Sequence, residues 1–248
     1  MKYGLQVYTV RDDIQADVKR AFQAVRAAGY EYVELYDMLG KTPDAMRDML
    51  KEIGLTACSI MFPAVALLEN PKNVVTTCKA LHCRFAVCPY LDESYRSVEG
   101  YTALAANLEK TAIALSKEGV TLAYHNHAFE FETLPNGECG YDILFNTTKT
   151  LCFEPDVYWF AYTGKNPLNM MSQLQGRMPL LHLKDMSACK DRCFCEVGQG
   201  ILPMKEIIAL AKRDQVEFAF VEQDANWATS PMESVQTSIK AIQAGLDA

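Results

Sequence analysis

The sequence has few histidines and no long charged or apolar tract, and each absence excludes a class of protein. Only four histidines occur among 248 residues, at positions 82, 125, 127 and 182. No block of five like charges is present, so the chain has no basic arm of the kind that neutralises nucleic-acid phosphates. The longest charge-free stretch in the N-terminal half, 53–68, is too short to span a bilayer, which takes about 18 apolar residues. We therefore expect neither a nucleic-acid nor a membrane partner.

The chain also lacks the apolar N-terminal segment of a secretory signal, and we expect a cytoplasmic protein. Its composition is otherwise ordinary. Half of the residues are hydrophobic, and 24 Lys and Arg stand against 31 Asp and Glu, a net charge of −7. These values exclude disorder as the dominant state. The length fits two small domains or one (β/α)8 barrel, which takes about 250 residues.

Cysteine, by contrast, is frequent, with nine in a chain that has no export signal. Three of them, Cys189, Cys193 and Cys195, fall within seven residues. They lack the paired two-residue spacings of a zinc ribbon, and no fourth ligand is evident. A structural metal, a disulfide and a loop that is merely rich in cysteine all remain open for this cluster.

Short apolar runs alternate with helical patterns along the whole chain. Strands are predicted at 4–10, 32–35, 55–60, 85–88, 120–124, 151–153, 180–183 and 218–221, and helices between and after them, the last at 234–245. The strands are continuous apolar runs, as expected for a parallel sheet that is covered on both faces. Eight strand–helix units fit a closed barrel better than an open sheet of five or six strands. The sequence therefore predicts a single domain, 1–248, with the fold of a (β/α)8 TIM barrel.

Polar side chains follow four neighbouring predicted strands. They are His125 after the fifth strand, Glu154 and Asp156 after the sixth, His182 and Lys184 in and after the seventh, and Glu222 after the eighth, with Glu34 in the second strand. In a barrel these strand ends meet at one face, where active sites lie. Buried charges are costly unless they are paired or bind a metal. A mixture of carboxylates and imidazoles suits a divalent cation such as manganese, magnesium, cobalt or zinc.

Five motifs carry these residues. They are Tyr124-His-Asn-His-x-x-Glu130-Phe131, Phe153-Glu-x-Asp156-x-Tyr-Trp159, Leu181-His-Leu-Lys-Asp185, Val197-Gly-Gln-Gly200 and Val221-Glu-Gln-Asp224. Together with the opening segments 4–12 and 29–35, they resemble the sugar phosphate isomerase/epimerase family of the xylose isomerase-like TIM barrels. The resemblance covers the whole chain, and it does not select one substrate.

The resemblance implies one divalent metal ion per chain, with Mn²⁺ favoured over Mg²⁺, Co²⁺ or Zn²⁺. The implied metal ligands are Glu130, Asp156, His182 and Glu222. His125, which stands where related epimerases carry a metal-binding Glu, and His127 would line the substrate side of this site. Glu34 and Lys184 would contact substrate oxygens. Asp185 and Asp224 are expected to act as acceptors for ligating imidazoles or as structural partners.

The function implied by this site is that of a metal-dependent isomerase or epimerase for a keto sugar or sugar derivative. The metal would polarise a carbonyl, a base would remove the proton next to it, and the metal would stabilise the enediolate. Glu222 or His125 is the expected base, and His127 or Lys184 the expected acid. Trp159 either walls the substrate pocket or packs in the core. The expected partner is a small carbohydrate, and a homo-oligomer remains possible.

Three alternatives remain. A lyase like the inosose dehydratases, acting on a keto-inositol or keto-glycoside, shares the first step, but those enzymes show His-His-His where this chain has His125-Asn126-His127. An apurinic endonuclease would need a basic groove and more histidines, and the net charge of −7 argues against it. A non-catalytic sugar-binding module would have lost ligands that this chain retains.

Overall fold

Eight parallel strands form a barrel in the computed structural model, which describes residues 1–246. The last two residues of the predicted domain, 247–248, lie outside the described residues. The barrel strands are β1 Lys2–Gln6, β2 Tyr32–Leu35, β3 Thr56–Met61, β4 Phe85–Cys88, β5 Thr121–His125, β6 Cys152–Glu154, β7 Leu180–Leu183 and β10 Phe218–Val221. Their order in the sheet is β6-β5-β4-β3-β2-β1-β10-β7, and all paired neighbours are parallel. The remaining two strands, β8 Asp185–Met186 and β9 Phe194–Cys195, form a separate antiparallel hairpin.

The two ends of the sheet, β6 and β7, meet near their carboxyl ends. The backbone N–H of His182 donates to the carbonyl of Pro155 at 2.9 Å, and Asp156 and His182 form an isolated parallel bridge. The predicted (β/α)8 TIM barrel is therefore confirmed.

Helices follow the barrel strands and cover the outside of the sheet. They are α1 Arg11–Ala16, α2 Val18–Ala28, α3 Pro43–Ile53, α4 Ala64–Glu69, α5 Pro71–Leu81, α6 Val98–Ser116, α7 Gly140–Thr147, α8 Val157–Tyr162, α9 Pro167–Gln173, α10 Met204–Arg213 and α11 Pro231–Gln243. Within residues 1–246, none of them combines the length and apolar character that a bilayer crossing needs.

Local capping explains where the elements differ from the predicted bounds. The first strand ends at Gln6, because the Gln6 side chain accepts from the Tyr8 N–H and starts a 3-10 turn over Val7–Val10. The last helix begins before residue 234, because Ser230 caps it through the N–H of Glu233 and Pro231 occupies its first turn. Thr42 caps α3 as expected, through the N–H of Ala45.

The barrel interior changes from apolar to polar toward the carboxyl ends of the strands. Phe220, Leu180 and Ala123 belong to one buried apolar cluster inside the sheet. Two residues further along the same strands, and therefore on the same face, come Glu222, His182 and His125. The apolar part is tightly filled, since a Cβ on Gly4 would lie 2.7 Å from a ring carbon of Phe220. The polar part forms the candidate site.

Candidate active site

The carboxyl ends of β5, β6, β7 and β10 bring four potential metal ligands together. One ligand atom each from His125, Asp156, His182 and Glu222 lies within 4.8 Å of the others, and all four residues are buried. Two imidazoles and two carboxylates are ligands that zinc, manganese and similar divalent cations accept. Three of the four predicted ligands, Asp156, His182 and Glu222, are therefore close together.

Glu130, the fourth predicted ligand, is not in this group. It lies in a 3-10 turn, Phe129–Phe131, and is fully buried. One carboxylate oxygen accepts from the Tyr124 hydroxyl at 2.7 Å and the other from the His127 N–H at 2.8 Å. Burial raises the pKa of Glu130 to about 7. Both oxygens thus stabilise the turn after β5, and the structure places His125 rather than Glu130 in the ligand group.

His182 lies between two carboxylates that set the orientation of its ring. Nδ1 is 2.8 Å from Glu222 Oε2, and Nε2 is 2.7 Å from Glu34 Oε2. Burial opposes a charge on His182, but the charges of Glu154 and Glu222 outweigh it and raise its pKa well above the ordinary value. A ligating histidine usually donates its second N–H to a carboxylate. Glu34 occupies that position for His182.

The expected contact between Glu34 and substrate stays a prediction, and the structure places Glu34 beside His182 and away from the cavity wall. Glu34 is fully buried and is not part of the cavity wall described below. It also accepts from the Gln6 side chain at 2.7 Å. Burial opposes ionisation of Glu34, but the hydrogen bond and charge of His182 lower its pKa on balance. Glu34 therefore acts on His182, the role that the sequence assigned to Asp185 and Asp224.

Those two aspartates have other partners. The carboxylate of Asp185 accepts from the backbone N–H groups of Gly198 and Gly200 at 2.9 and 3.2 Å, and it holds the loop after β9 against the barrel. A Cβ on Gly200 would lie 2.2 Å from that carboxylate, so a glycine is needed there. Asp224 instead pairs with Lys184 at 2.9 Å.

Lys184 is a buried cation among three carboxylates. Its Nζ lies 3.2 Å from Asp156 Oδ2, 2.9 Å from Glu222 Oε2 and 2.9 Å from Asp224 Oδ2. Burial opposes its charge, but Asp156, Glu222 and Asp224 raise its pKa well above the ordinary value. Lys184 therefore remains protonated at neutral pH.

Glu154 is a site residue to which the sequence assigned no role. It forms a second group of potential ligands with Glu34 and His182. Burial and then the charge of Glu34 raise its pKa well above the ordinary value. The signal was present in the sequence, because Glu154 and Asp156 are two residues apart and so share the inward face of one strand end.

Several buried atoms of the site fit a cation. His125 Nε2, Asp156 Oδ2 and both carboxylate oxygens of Glu154 make no hydrogen bond of good geometry among the described residues. Five carboxylates, those of Glu34, Glu154, Asp156, Glu222 and Asp224, stand against the charges of Lys184 and His182. Even without a charge on Glu154, four carboxylates face two positive groups. A divalent cation would balance this excess, which is costly in a buried site.

A cavity of about 420 Å³ opens onto these residues. All four predicted catalytic residues, His125, His127, Lys184 and Glu222, line it. The wall also contains three tyrosines and an arginine that the sequence did not single out, and they are Tyr8, Tyr36, Tyr90 and Arg11. The size lies within the range of small-molecule sites, roughly 300–1,000 Å³. Aromatic faces beside polar groups suit a carbohydrate.

His127 and Trp159 lie side by side at this site. The two ring centroids are 5.6 Å apart, and Nδ1 of His127 has no hydrogen-bond partner among the described residues. Burial and the charge of His125 lower the pKa of His127 well below its ordinary value, so its imidazole is neutral. Trp159 is not among the residues that line the cavity, and Lys184 Nζ lies 5.4 Å from its ring centroid. Trp159 thus packs next to His127 and Lys184 without lining the cavity.

Known proteins agree with this architecture. The structure is similar to that of a sugar phosphate isomerase/epimerase from Parabacteroides distasonis ATCC 8503, with a TM-score of 0.84 at 21% identity over 98% of this chain and 94% of that one. It is also similar to a probable 3-DHS dehydratase, AsbF, from Bacillus anthracis, with a TM-score of 0.73 at 14% identity over 98% and 99% of the two chains. A third similar structure is that of the IOLI protein with a zinc atom, with a TM-score of 0.74 at 15% identity over 99% and 98%.

Sequence comparison gives the family. No curated protein matches the chain. Residues 22–244 match the model of the xylose isomerase-like TIM barrels, and the chain therefore belongs to the xylose isomerase-like TIM barrel family.

Proposed function

We propose that this protein is a metal-dependent isomerase or epimerase of a keto sugar or sugar derivative. The observation that carries the proposal is the convergence of His125, Asp156, His182 and Glu222 on one cavity. The similar structures named as a sugar phosphate isomerase/epimerase and as a zinc-containing protein support it. We propose one divalent ion per chain, with Mn²⁺ favoured. The cytoplasmic location and any homo-oligomer stay predictions of the sequence.

The residues of the chain suit proton transfer next to a carbonyl. A divalent cation bound at this site would polarise the carbonyl and make the neighbouring C–H more acidic. Lys184 and His182 outweigh burial and lower the pKa of Glu222, so this cavity residue is ionised and is the base that we favour over His125. Lys184, protonated and held by Asp224, would donate a hydrogen bond to a substrate oxygen. Glu222 would return the proton to the neighbouring carbon, or the protonated Lys184 would deliver one to the other face. The neutral His127, with its free Nδ1, would accept a hydrogen bond from a substrate hydroxyl.

Dehydration is the second candidate, and one feature favours it. The Lys184 ammonium lines the cavity and could protonate a hydroxyl that leaves from the carbon beyond the one that loses its proton. A similar structure is named as a probable dehydratase. The first step, removal of the proton next to a carbonyl, is common to both reactions.

Metal titration and a substrate screen together test the proposal. Metal-stripped protein is titrated with Mn²⁺ by calorimetry and then screened in deuterated water against keto sugars, keto-glycosides and inososes, with proton NMR as the readout. We expect one ion per chain and turnover of at least one substrate class. Asp156→Asn and His182→Gln should lose both the ion and turnover. Glu52→Gln, which alters an exposed carboxylate paired with Lys19, is the matched control and should lose neither.

The products decide between the two reactions. An epimer or isomer that carries deuterium at the carbon next to the carbonyl supports the isomerase or epimerase. A product that lacks one water identifies a lyase. Full turnover by metal-stripped protein in the presence of a chelator would refute metal dependence in either case.

A further inference from the structure

Two cysteines meet at the tip of the β8–β9 hairpin. The Sγ atoms of Cys189 and Cys193 are 2.9 Å apart. The turn between them is closed by hydrogen bonds from the Arg192 N–H to the Cys189 carbonyl at 3.0 Å and from the Ser187 N–H to the Cys193 carbonyl at 2.8 Å. The backbone of the hairpin therefore holds the two thiols next to each other, and the pairing does not depend on chance contact of flexible side chains.

Contacts with α8 and with the residues of the candidate site anchor this hairpin. The Tyr158 hydroxyl in α8 donates to the Arg192 carbonyl at 2.6 Å, and the rings of Tyr158 and Phe194 are 4.4 Å apart. Phe194 also lies 5.4 Å from Lys184 Nζ and 5.9 Å from the ring of Trp159. The thiol pair thus lies on a segment that is fixed against the wall of the candidate active site.

The geometry favours a dithiol over a metal site. A structural zinc site needs four ligands, commonly cysteine and histidine. Within residues 1–246, no group of three or more potential metal ligands includes a cysteine of this hairpin. Cys195 instead pairs across the hairpin with Asp185. Of the options that the sequence left open for the cluster, this leaves a disulfide between two of the thiols and a loop that is merely rich in cysteine.

The two thiols have different characters. Cys189 is exposed, whereas the other eight cysteines are half-buried or buried. Hydrogen bonds from the Cys193 thiol, the Ser187 hydroxyl and the Cys193 N–H lower the pKa of Cys189 to about 7. The hydrogen bond to Cys189 raises the pKa of Cys193. One accessible thiolate beside one protonated thiol is the arrangement of an attacking and a resolving cysteine.

We propose that Cys189 and Cys193 form a reversible redox site that low-molecular-weight disulfides oxidise. The Cys189 thiolate attacks one sulfur of glutathione disulfide and expels one glutathione thiolate, which leaves a mixed disulfide on Cys189. Cys193 loses its proton to water and attacks Cys189 Sγ, and the second glutathione leaves. The net reaction converts two protein thiols and one glutathione disulfide into one protein disulfide and two glutathione molecules, a transfer of two electrons.

Peptide mapping tests the site on the full-length protein. The protein is equilibrated with mixtures of glutathione and its disulfide, free thiols are alkylated, and the protein is digested with trypsin. Cleavage after Lys190 and Arg192 separates the two cysteines, so their disulfide joins peptides 185–190 and 193–205. We expect this linked pair, the loss of two free thiols and full recovery of both after reduction. Fragmentation of the second peptide between Cys193 and Cys195 identifies the bonded sulfur.

Matched variants make the test decisive. Cys195→Ser should keep the linked peptides, whereas Cys189→Ser and Cys193→Ser should each lose them, with thermal melts confirming that all three variants fold. The proposal is overturned if the linked pair never forms, even in glutathione disulfide alone. It is also overturned if the link persists in Cys193→Ser, or if glutathione stays on Cys189 of the unaltered protein without being displaced by Cys193.

Discussion

Glu130→Gln separates the two roles that the sequence and the structure assign to this carboxylate. As a metal ligand, Glu130 would be essential for binding the cation. As the buried acceptor that joins the Tyr124 hydroxyl to the His127 N–H, it would instead affect the stability of the folded barrel. We expect the variant to bind Mn²⁺ with unchanged stoichiometry, because the ligand group contains His125 and excludes Glu130.

The stability of this variant should depend on pH in a defined direction. Burial raises the pKa of Glu130 from 4.5 to about 7, so the folded protein keeps a proton that the unfolded chain has lost. The resulting stabilisation is fully present below pH 4.5 and is lost as the pH rises through about 7. Each pH unit between the two values corresponds to about 1.4 kcal/mol, which gives a loss of about 3 kcal/mol in the unaltered protein. Glutamine does not ionise, so the variant does not lose this stability as the pH rises.

Glutamine has only one acceptor oxygen, so one of the two donors loses its partner at a cost of about 1 kcal/mol. We therefore expect the variant to be about 1 kcal/mol less stable near pH 4.5 and about 2 kcal/mol more stable above pH 7. Urea unfolding of both proteins across this pH range, with a chelator present, measures the difference in their free energies of unfolding. The contributions of all other titrating groups are the same in both proteins and cancel in this difference. Glu132→Gln, an exposed carboxylate two residues away, should show no such trend. A difference that stays constant between pH 4.5 and 8 would refute the reasoning.

Two further predictions concern the orientation of His182 by Glu34 and the packing of the barrel interior around Gly4. Glu34→Gln should weaken Mn²⁺ binding roughly 10–100-fold in calorimetry, because it removes the carboxylate that orients His182, and an unchanged affinity would contradict this role. Gly4→Ala should lower the free energy of unfolding by about 1–3 kcal/mol in urea, because its Cβ would lie 2.7 Å from the Phe220 ring. Unchanged stability of that variant would show that the ring can move away.

The barrel was predictable because its signals are local and repeated. Continuous apolar strands followed by helices occur along the whole chain, and some of these helices begin at a residue that the sequence identifies as a cap, such as Thr42 before α3. The same pattern located the site. Parallel strands of a barrel end at one face, so Asp156, His182 and Glu222 had to approach one another once the fold was known.

The roles of Glu130 and Glu34 depend on features that spacing does not show. Glu130 follows β5 by five residues, and the 3-10 turn over Phe129–Phe131 places its carboxylate at Tyr124. Glu34 lies inside the barrel as its strand period predicts, but its neighbours there depend on register. The β2–β3 pairing shifts between Val33 and Glu34, which sets Glu34 opposite Ser59. Such a shift leaves no sequence signal.

The position of Lys184 has a consequence for cation binding. Its ammonium contacts Asp156 and Glu222, which are also in the proposed ligand group, and it contacts Asp224, which is not. A cation and Lys184 must therefore share the first two carboxylates, and each positive charge weakens the hold of those carboxylates on the other. Asp224 lies outside the ligand group, so a bound cation would not compete for this carboxylate. We infer that Asp224 serves to hold the lysine at the cavity when the other carboxylates bind the cation.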